Sequence, residues 1–231
     1  MIAACLGLVL LLSVVALWWS VPSVGWLRDE NPATTAFMDR NRASGASVTQ
    51  RWVSLDHVSP HVLHAILVAE DIEFFQHRGF SFAEQRAAVR TAMSQGTAPR
   101  GASTVTQQLA KNLWLTPERS AWRKLREAAL AWKLERTLGK RRILELYVNV
   151  VEFGPGTYGV GAAADRYFRT ATLWLTPEQA AQLAAGLSRP SLWNPSVRTE
   201  GYASRVALIR GRMDRGTFLW RHMLPLYRTP T

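Results

Sequence analysis

Glu70 lies seven residues after Leu63, four after Ile66 and three after Leu67. On a helix beginning at Pro60 that spacing puts its carboxylate on or beside the apolar face. A carboxylate withdrawn from water there holds a proton more readily and suits general-base work near neutral pH. A helix cap or a buried ion pair with an arginine is the structural alternative. A second pattern runs through Ser103-Thr104-Val105-Thr106-Gln107-Gln108-Leu109-Ala110-Lys111-Asn112. Thr104, Gln107, Gln108 and Lys111 recur at i, i+3, i+4 and i+7, a stripe of neutral donors ending in a cation, with Val105, Leu109 and Leu113 opposite. Such a stripe suits sugar hydroxyls, amides and a phosphate, whereas a solvated face usually recruits Glu and Lys.

Two further segments are set apart by composition. Residues 119–142 hold nine Lys or Arg against Glu127 and Glu135, a net of +7 within a chain total of +11. That density fits a diphosphate or lipid headgroups, or a nucleic-acid face. Arg123 and Glu127 form an i,i+4 pair, which by itself reads as an ordinary surface salt bridge. Gly154 to Gly161 is a glycine-rich turn that lets backbone approach a ligand or another helix closely. It lacks the Lys-Ser/Thr ending of a phosphate-binding loop.

The elements that must position these groups are helical. Ser59-Pro60 is an N-cap followed by Pro at the first helical position, and Val62, Leu63, Ile66 and Ala69 mark an apolar face. Thr116-Pro117 starts another helix, with Trp122, Leu125, Ala129 and Trp132 as its expected buried seam. Thr176-Pro177-Glu178-Gln179 is a capping box opening a helix to about Leu187. Residues 140–150 and 203–215 are helical in pattern, and the best strand-like run is Gln50–Leu55. Gln95–Arg100 is turn-rich and is expected to move over a cleft.

At 231 residues and 48% hydrophobic, the chain has room for one ordinary domain with a real core. Its 28 Lys and Arg against 17 Asp and Glu imply a negatively charged partner. A lone cysteine, Cys5, excludes an internal disulfide framework and a Cys-based zinc site. Residues 2–19 carry no charge and end in Trp18-Trp19, and about 20 apolar residues cross a bilayer core. A retained transmembrane anchor over 1–21 is therefore expected in preference to a cleaved signal peptide, although Arg28, Arg40 and Arg42 on its far flank weakly oppose an outward-facing domain. Residues 22–50 read as a linker or loosely packed stalk, and 51–231 as the main domain.

Taken together, the segments resemble the peptidoglycan glycosyltransferases of family 51, most closely the monofunctional biosynthetic transglycosylases. The likeness rests on Glu70-Asp71 with Phe74, His77 and Gly79; Gly101-x-Ser-Thr-x-Thr-Gln-Gln with Lys111-Asn112; Arg123-Lys124-x-x-Glu127; Arg142-Ile-Leu-Glu-Leu-Tyr-Val-Asn149; and Gly159 to Phe168. All five occur in family order from about Trp52 to Pro195. Val148 and Arg169-Thr170 depart from the usual pattern, in packing and in a loop.

The resemblance implies a mainly α, two-lobed, lysozyme-like domain behind one N-terminal transmembrane helix. It implies polymerisation of lipid II into glycan strands on the outer face of the bacterial cytoplasmic membrane. Glu70 becomes the expected general base, and Lys111, Arg123 and Lys124, with Arg86, the diphosphate contacts. Ser103, Thr104, Gln107, Gln108 and Asn112 become substrate-binding. Glu127 either orients Lys124 and the donor phosphate or helps hold a divalent ion (Mg2+ or Mn2+), and no organic cofactor is expected. The expected partners are lipid II, the growing strand, the lipid bilayer and cell-wall synthesis or division proteins, not nucleic acid. A lysozyme-like glycoside hydrolase and a non-catalytic, membrane-anchored binder of anionic lipid or nucleic acid are the rival readings. The first does not explain +7 beside a cleft, and the second does not explain Glu70 or the Thr/Gln stripe.

Overall fold

The computed structural model describes residues 7, 13, 15, 16, 19–96, 103–118 and 120–227, the side chains at 84, 89 and 95 apart. The architecture is mainly helical: α1 (Ala36–Ala43), α2 (Pro60–Glu70), α3 (Phe82–Gln95), α4 (Val105–Trp114), α5 (Ala121–Thr137), α6 (Lys140–Val150), α7 (Gly159–Phe168), α8 (Pro177–Gly186), α9 (Glu200–Arg215) and the short α10 (Trp220–Met223). A small sheet of β1 (Thr49–Gln50), β2 (Glu152–Gly154) and β3 (Thr157–Tyr158) has the order β1-β3-β2, β1 parallel and β2 antiparallel to β3. The strand expected over 50–55 is thus confined to its first residue.

Two groups of helices meet where the chemistry-bearing residues lie. α2 packs against α8 and α9, while α4 packs against α5 and α6. Helix α2 is the centre of the first group, and Val62, Leu63, Ala65, Ile66 and Leu67 are fully buried. Pro60 opens it as expected, but Ser59 Oγ donates to Leu175 O at 2.8 Å instead of capping the helix. At α8 the Thr176–Gln179 capping box is formed in both directions.

Two sequence readings give way. Helix α5 starts at Ala121 rather than at Thr116-Pro117, because Ser120 Oγ accepts from Arg123 N and caps it there. Its buried side is Glu127, Leu130, Ala131 and Leu134, while Trp122, Leu125 and Trp132 are 46%, 52% and 41% exposed. The segment read as a linker is packed onto the domain over much of its length: Leu27 and Met38 are fully buried, and Arg142 donates to Leu27 O and Glu30 O. Isolated apolar anchors do this without any periodic pattern.

The glycine-rich turn serves packing. Gly156 and Gly159 have φ of +68° and +79°, and a Cβ on Gly161 would lie 2.3 Å from Arg51 O. Among the described residues no helix is long and apolar enough to cross a membrane. The anchor expected over 1–21 falls largely outside the described residues, as do residues 97–102.

Candidate active site

Glu70 is the last residue of α2, and its side chain is 13% exposed. Gln108 Nε2 donates to Glu70 Oε2 at 2.9 Å, and Tyr147 Oη donates to Gln108 Oε1 at 3.0 Å. Fully buried Tyr147 on α6 thereby fixes which end of the amide faces the carboxylate. Burial pushes the Tyr147 hydroxyl well above the ordinary phenol range, so it stays a donor. Burial also raises the Glu70 pKa, opposed by the Gln108 hydrogen bond and then by the charges of Arg205, Lys111 and Arg212. The result is a carboxylate that accepts a proton more readily than an exposed one.

The neighbouring Asp71 is structural. Its Oδ1 lies 2.8 Å from His77 Nε2, and its Oδ2 accepts from Val105 N at 2.9 Å. Gly79 N donates to His77 Nδ1, which leaves the ring proton on Nε2, facing Asp71. One buried carboxylate therefore ties the end of α2 to the start of α4, which brings Glu70 to Gln108.

A second carboxylate, Glu127, is 2% exposed and held between two cations of its own helix. Arg123 Nη1 donates to Oε2 at 2.7 Å, Lys124 Nζ contacts Oε1, and Lys124 also donates to Ser103 Oγ at 3.1 Å. The surface-salt-bridge reading of Glu127 is thus wrong on burial. Lys111 feels the charges of Glu127, Arg123, Lys124 and Glu70, and so links the two centres electrostatically. Burial lowers its pKa, Glu127 pulls it back up, and the two neighbouring cations lower it again.

The polar stripe on α4 divides. Gln108 and Lys111 face the carboxylates, and Asn112 Nδ2 donates to Gln108 O at 2.8 Å, bracing that turn. Thr104 and Gln107, in contrast, are consumed by the capping box of α4, and Thr104 Oγ1 also donates to buried Gly79 O. Both are 2% exposed or less. Arg86 is exposed on α3 with its Nε on Phe82 O, and no described hydrogen bond or ion pair joins it to Glu70 or Glu127.

Much of the basic block is also structural. Arg126 and Lys133 donate to Ser20 O and Val21 O, Lys140 to Glu135 and His77 O, and Arg141 and Arg142 both bind Glu145. Arg119 lies outside the described residues. What remains at the site is Arg123 and Lys124, with Lys111. Sequence reading missed Tyr147 as a partner of Gln108, although it lies within a quoted motif. It also missed Arg205, whose Nη2 lies 3.6 Å from Glu70 Oε1. Arg205 and Arg212 recur at i,i+7 on α9, the only signal the sequence offered.

Among the described residues no three His, Cys, Asp or Glu side chains converge as metal ligands. Both oxygens of Glu127 are engaged by cations of its own helix.

A family model described as transglycosylase matches residues 38–214. A biosynthetic peptidoglycan transglycosylase of Alcanivorax borkumensis is 42% identical over 208 residues, covering 90% of this chain and 84% of that protein. One from Methylobacillus flagellatus is 38% identical over 215 residues, covering 90% and 94%. With buried Glu70, the Gln108–Lys111 face and the clasped Glu127 all inside the matched span, the chain belongs to the transglycosylase family.

Proposed function

We propose that this chain is a peptidoglycan glycosyltransferase that polymerises lipid II into glycan strands for the cell wall. Membership of the transglycosylase family and relatives named biosynthetic peptidoglycan transglycosylases support the activity. The observation that carries the mechanism is Glu70, a buried carboxylate with raised proton affinity facing Gln108 and, through Lys111, the Arg123–Lys124–Glu127 group.

In this reading a Glu70 oxygen takes the proton from the acceptor GlcNAc 4-hydroxyl as the 4-hydroxyl oxygen attacks C1 of the donor MurNAc. The C1–oxygen bond to the diphosphate breaks, a β-1,4 bond forms, and configuration inverts. Diphosphate is a competent leaving group once its charge is met, so Lys111, Arg123 and Lys124 stabilise the departing anion in place of a general acid. Glu127 orients the two cations on its own helix. Ser103, Lys124's other partner, joins that diphosphate group, and Asn112 acts by bracing Gln108. Thr104 and Gln107 shape the site from within α4, and Arg86 is left to a more distant part of the substrate. No step is assigned to a divalent ion.

The same reading places the domain on the outer face of the cytoplasmic membrane, anchored through residues 1–21. The exposed Trp122, Leu125 and Trp132 stripe supports a bilayer partner, since the helix bearing it also holds Ser20 and Val21 at the end of the apolar segment. The test is incubation of the full chain with labelled lipid II in detergent, with products resolved on a gel. Lysozyme-sensitive glycan polymer is expected. Cleavage of preformed glycan without polymer would favour a hydrolase instead.

A further inference from the structure

Glu70 occupies an unfavourable position for an anion. It ends α2, where unpaired carbonyls and the negative pole of the helix disfavour a carboxylate, and it is buried as well. Burial and the helix pole both favour its protonated form, which could not accept a proton. The residues facing it are Gln108 and Lys111 from α4, Tyr147 from α6, Arg205 and Arg212 from α9, and adjacent Asp71. Gln108 and Tyr147 contribute no charge, and Lys111 is shared with the Glu127 group.

The remaining cations both come from α9, seven residues apart on the face packed against α2. Arg212 Nη1 donates to Val68 O at 3.4 Å, satisfying a carbonyl in the last turn of α2. Arg205 Nη2 lies 3.6 Å from Glu70 Oε1, the oxygen that Gln108 does not bind. Its Nε is buried without a hydrogen-bond partner, and Glu70 is the carboxylate with which the structure pairs it.

Resting on the reading of Glu70 as the base, we infer that Arg205 and Arg212 act as a paired cationic cap on the C-terminal end of α2, keeping Glu70 ionised and fixing the orientation of its carboxylate. They are positioning residues that act through Glu70. Arg205 holds the Oε1 side and Gln108 the Oε2 side, while Arg212 offsets the helix pole behind them. Since α9 lies beyond the five motifs, the cap ties the reactivity of Glu70 to the docking of a helix that carries none of the other proposed site residues.

The experiment follows Glu70 protonation directly, by infrared carboxyl difference spectra of each full-length protein against its own Glu70→Gln counterpart, beside the pH dependence of lipid II polymerisation. Arg205→Gln is expected to move the Glu70 titration and the acid limb of the rate profile to higher pH together, so that activity lost several-fold near about pH 6 is largely recovered near about pH 8.5. Arg205→Lys should return both towards wild type. Arg212→Gln should move them in the same direction by less, and it carries the test if Arg205→Gln does not fold. A Glu70 titration unchanged in Arg205→Gln and Arg212→Gln overturns the inference. So does a rate lowered equally at every pH, which marks a purely structural role. Polymerisation by Glu70→Gln itself would overturn the base assignment instead, and the infrared shift would still report on the cap.

Discussion

Glu70 and Glu127 are both buried, yet their neighbours treat them differently. Glu127 has a cation on each oxygen, whereas Glu70 has a neutral amide on one oxygen and a guanidinium at 3.6 Å from the other. The first arrangement engages both oxygens with charge, and the second leaves a carboxylate that accepts a proton more readily than an exposed one. The polymerisation rate is therefore expected to be bell-shaped in pH. It falls on the acid side as Glu70 protonates, above the usual carboxylate range, and on the alkaline side as Lys111 loses its proton, below the usual lysine range. A profile of kcat/KM against pH checks this. Stability follows the opposite sign. Because burial raises the Glu70 pKa on folding, its contribution is most favourable at low pH and is lost as pH rises through the folded value. Glu70→Gln should accordingly gain in Tm relative to wild type as pH increases. Thr104 offers a contrast, since its hydroxyl is spent on the α4 cap and on Gly79 O. Thr104→Ala should cost about 1 kcal/mol or somewhat more in stability while leaving KM for lipid II nearly unchanged. A large rise in KM at constant Tm would put Thr104 on the substrate.

At the scale of elements, α5 shows why part of the fold was legible and part was not. It carries two stripes of nearly the same period. Trp122, Leu125, Ala129 and Trp132 form one, and Glu127, Leu130, Ala131 and Leu134 the other. Periodicity identifies a helix correctly in either case, but side-chain size favours the tryptophan stripe for the core. Burial goes to the stripe holding a carboxylate, because Arg123 and Lys124 neutralise it. The helices at 60–70, 140–150 and 177–186 were readable because an apolar period marks each, with Pro60 opening the first and a capping box the last. The packing of 22–50 was not, since Leu27 and Met38 are single anchors. Glu70 on an apolar face followed from spacing alone, whereas its contact with Arg205 joins residues 135 positions apart and leaves no local mark. The glycine-rich turn is a further case. It reads as either a ligand cradle or a packing device, and at Gly159 φ is +79° with a Cβ that would lie 2.7 Å from Asn149 O. Gly159→Ala should cost about 3 kcal/mol, measured by denaturant unfolding, with catalysis by the remaining folded protein retained.

Across the whole molecule, part of the basic excess behind the net charge of +11 has a structural or site role. Arg126, Lys133, Arg141 and Arg142 bind carbonyls that hold residues 20–30 and the C-terminal segment to the domain. Lys111, Arg123 and Lys124 gather at the site, and α9 supplies Arg205 and Arg212. The apolar stripe of α5 lies on the helix that fixes the chain's emergence from its N-terminal segment. Replacing Leu125 with Asp should change stability by no more than about 1 kcal/mol, because it is half exposed. It should lower polymerisation in proteoliposomes while sparing it in detergent, and equal losses in both would detach the stripe from any membrane role. The central claim remains the reaction and its base. The most direct measurement is glycan polymer formed from labelled lipid II by the wild-type chain and by Glu70→Gln, with folding and lipid II binding verified for both. Polymer from the wild type, with none from a folded, substrate-binding Glu70→Gln, is the predicted result; polymer from both proteins would contradict the assignment of Glu70 as the base.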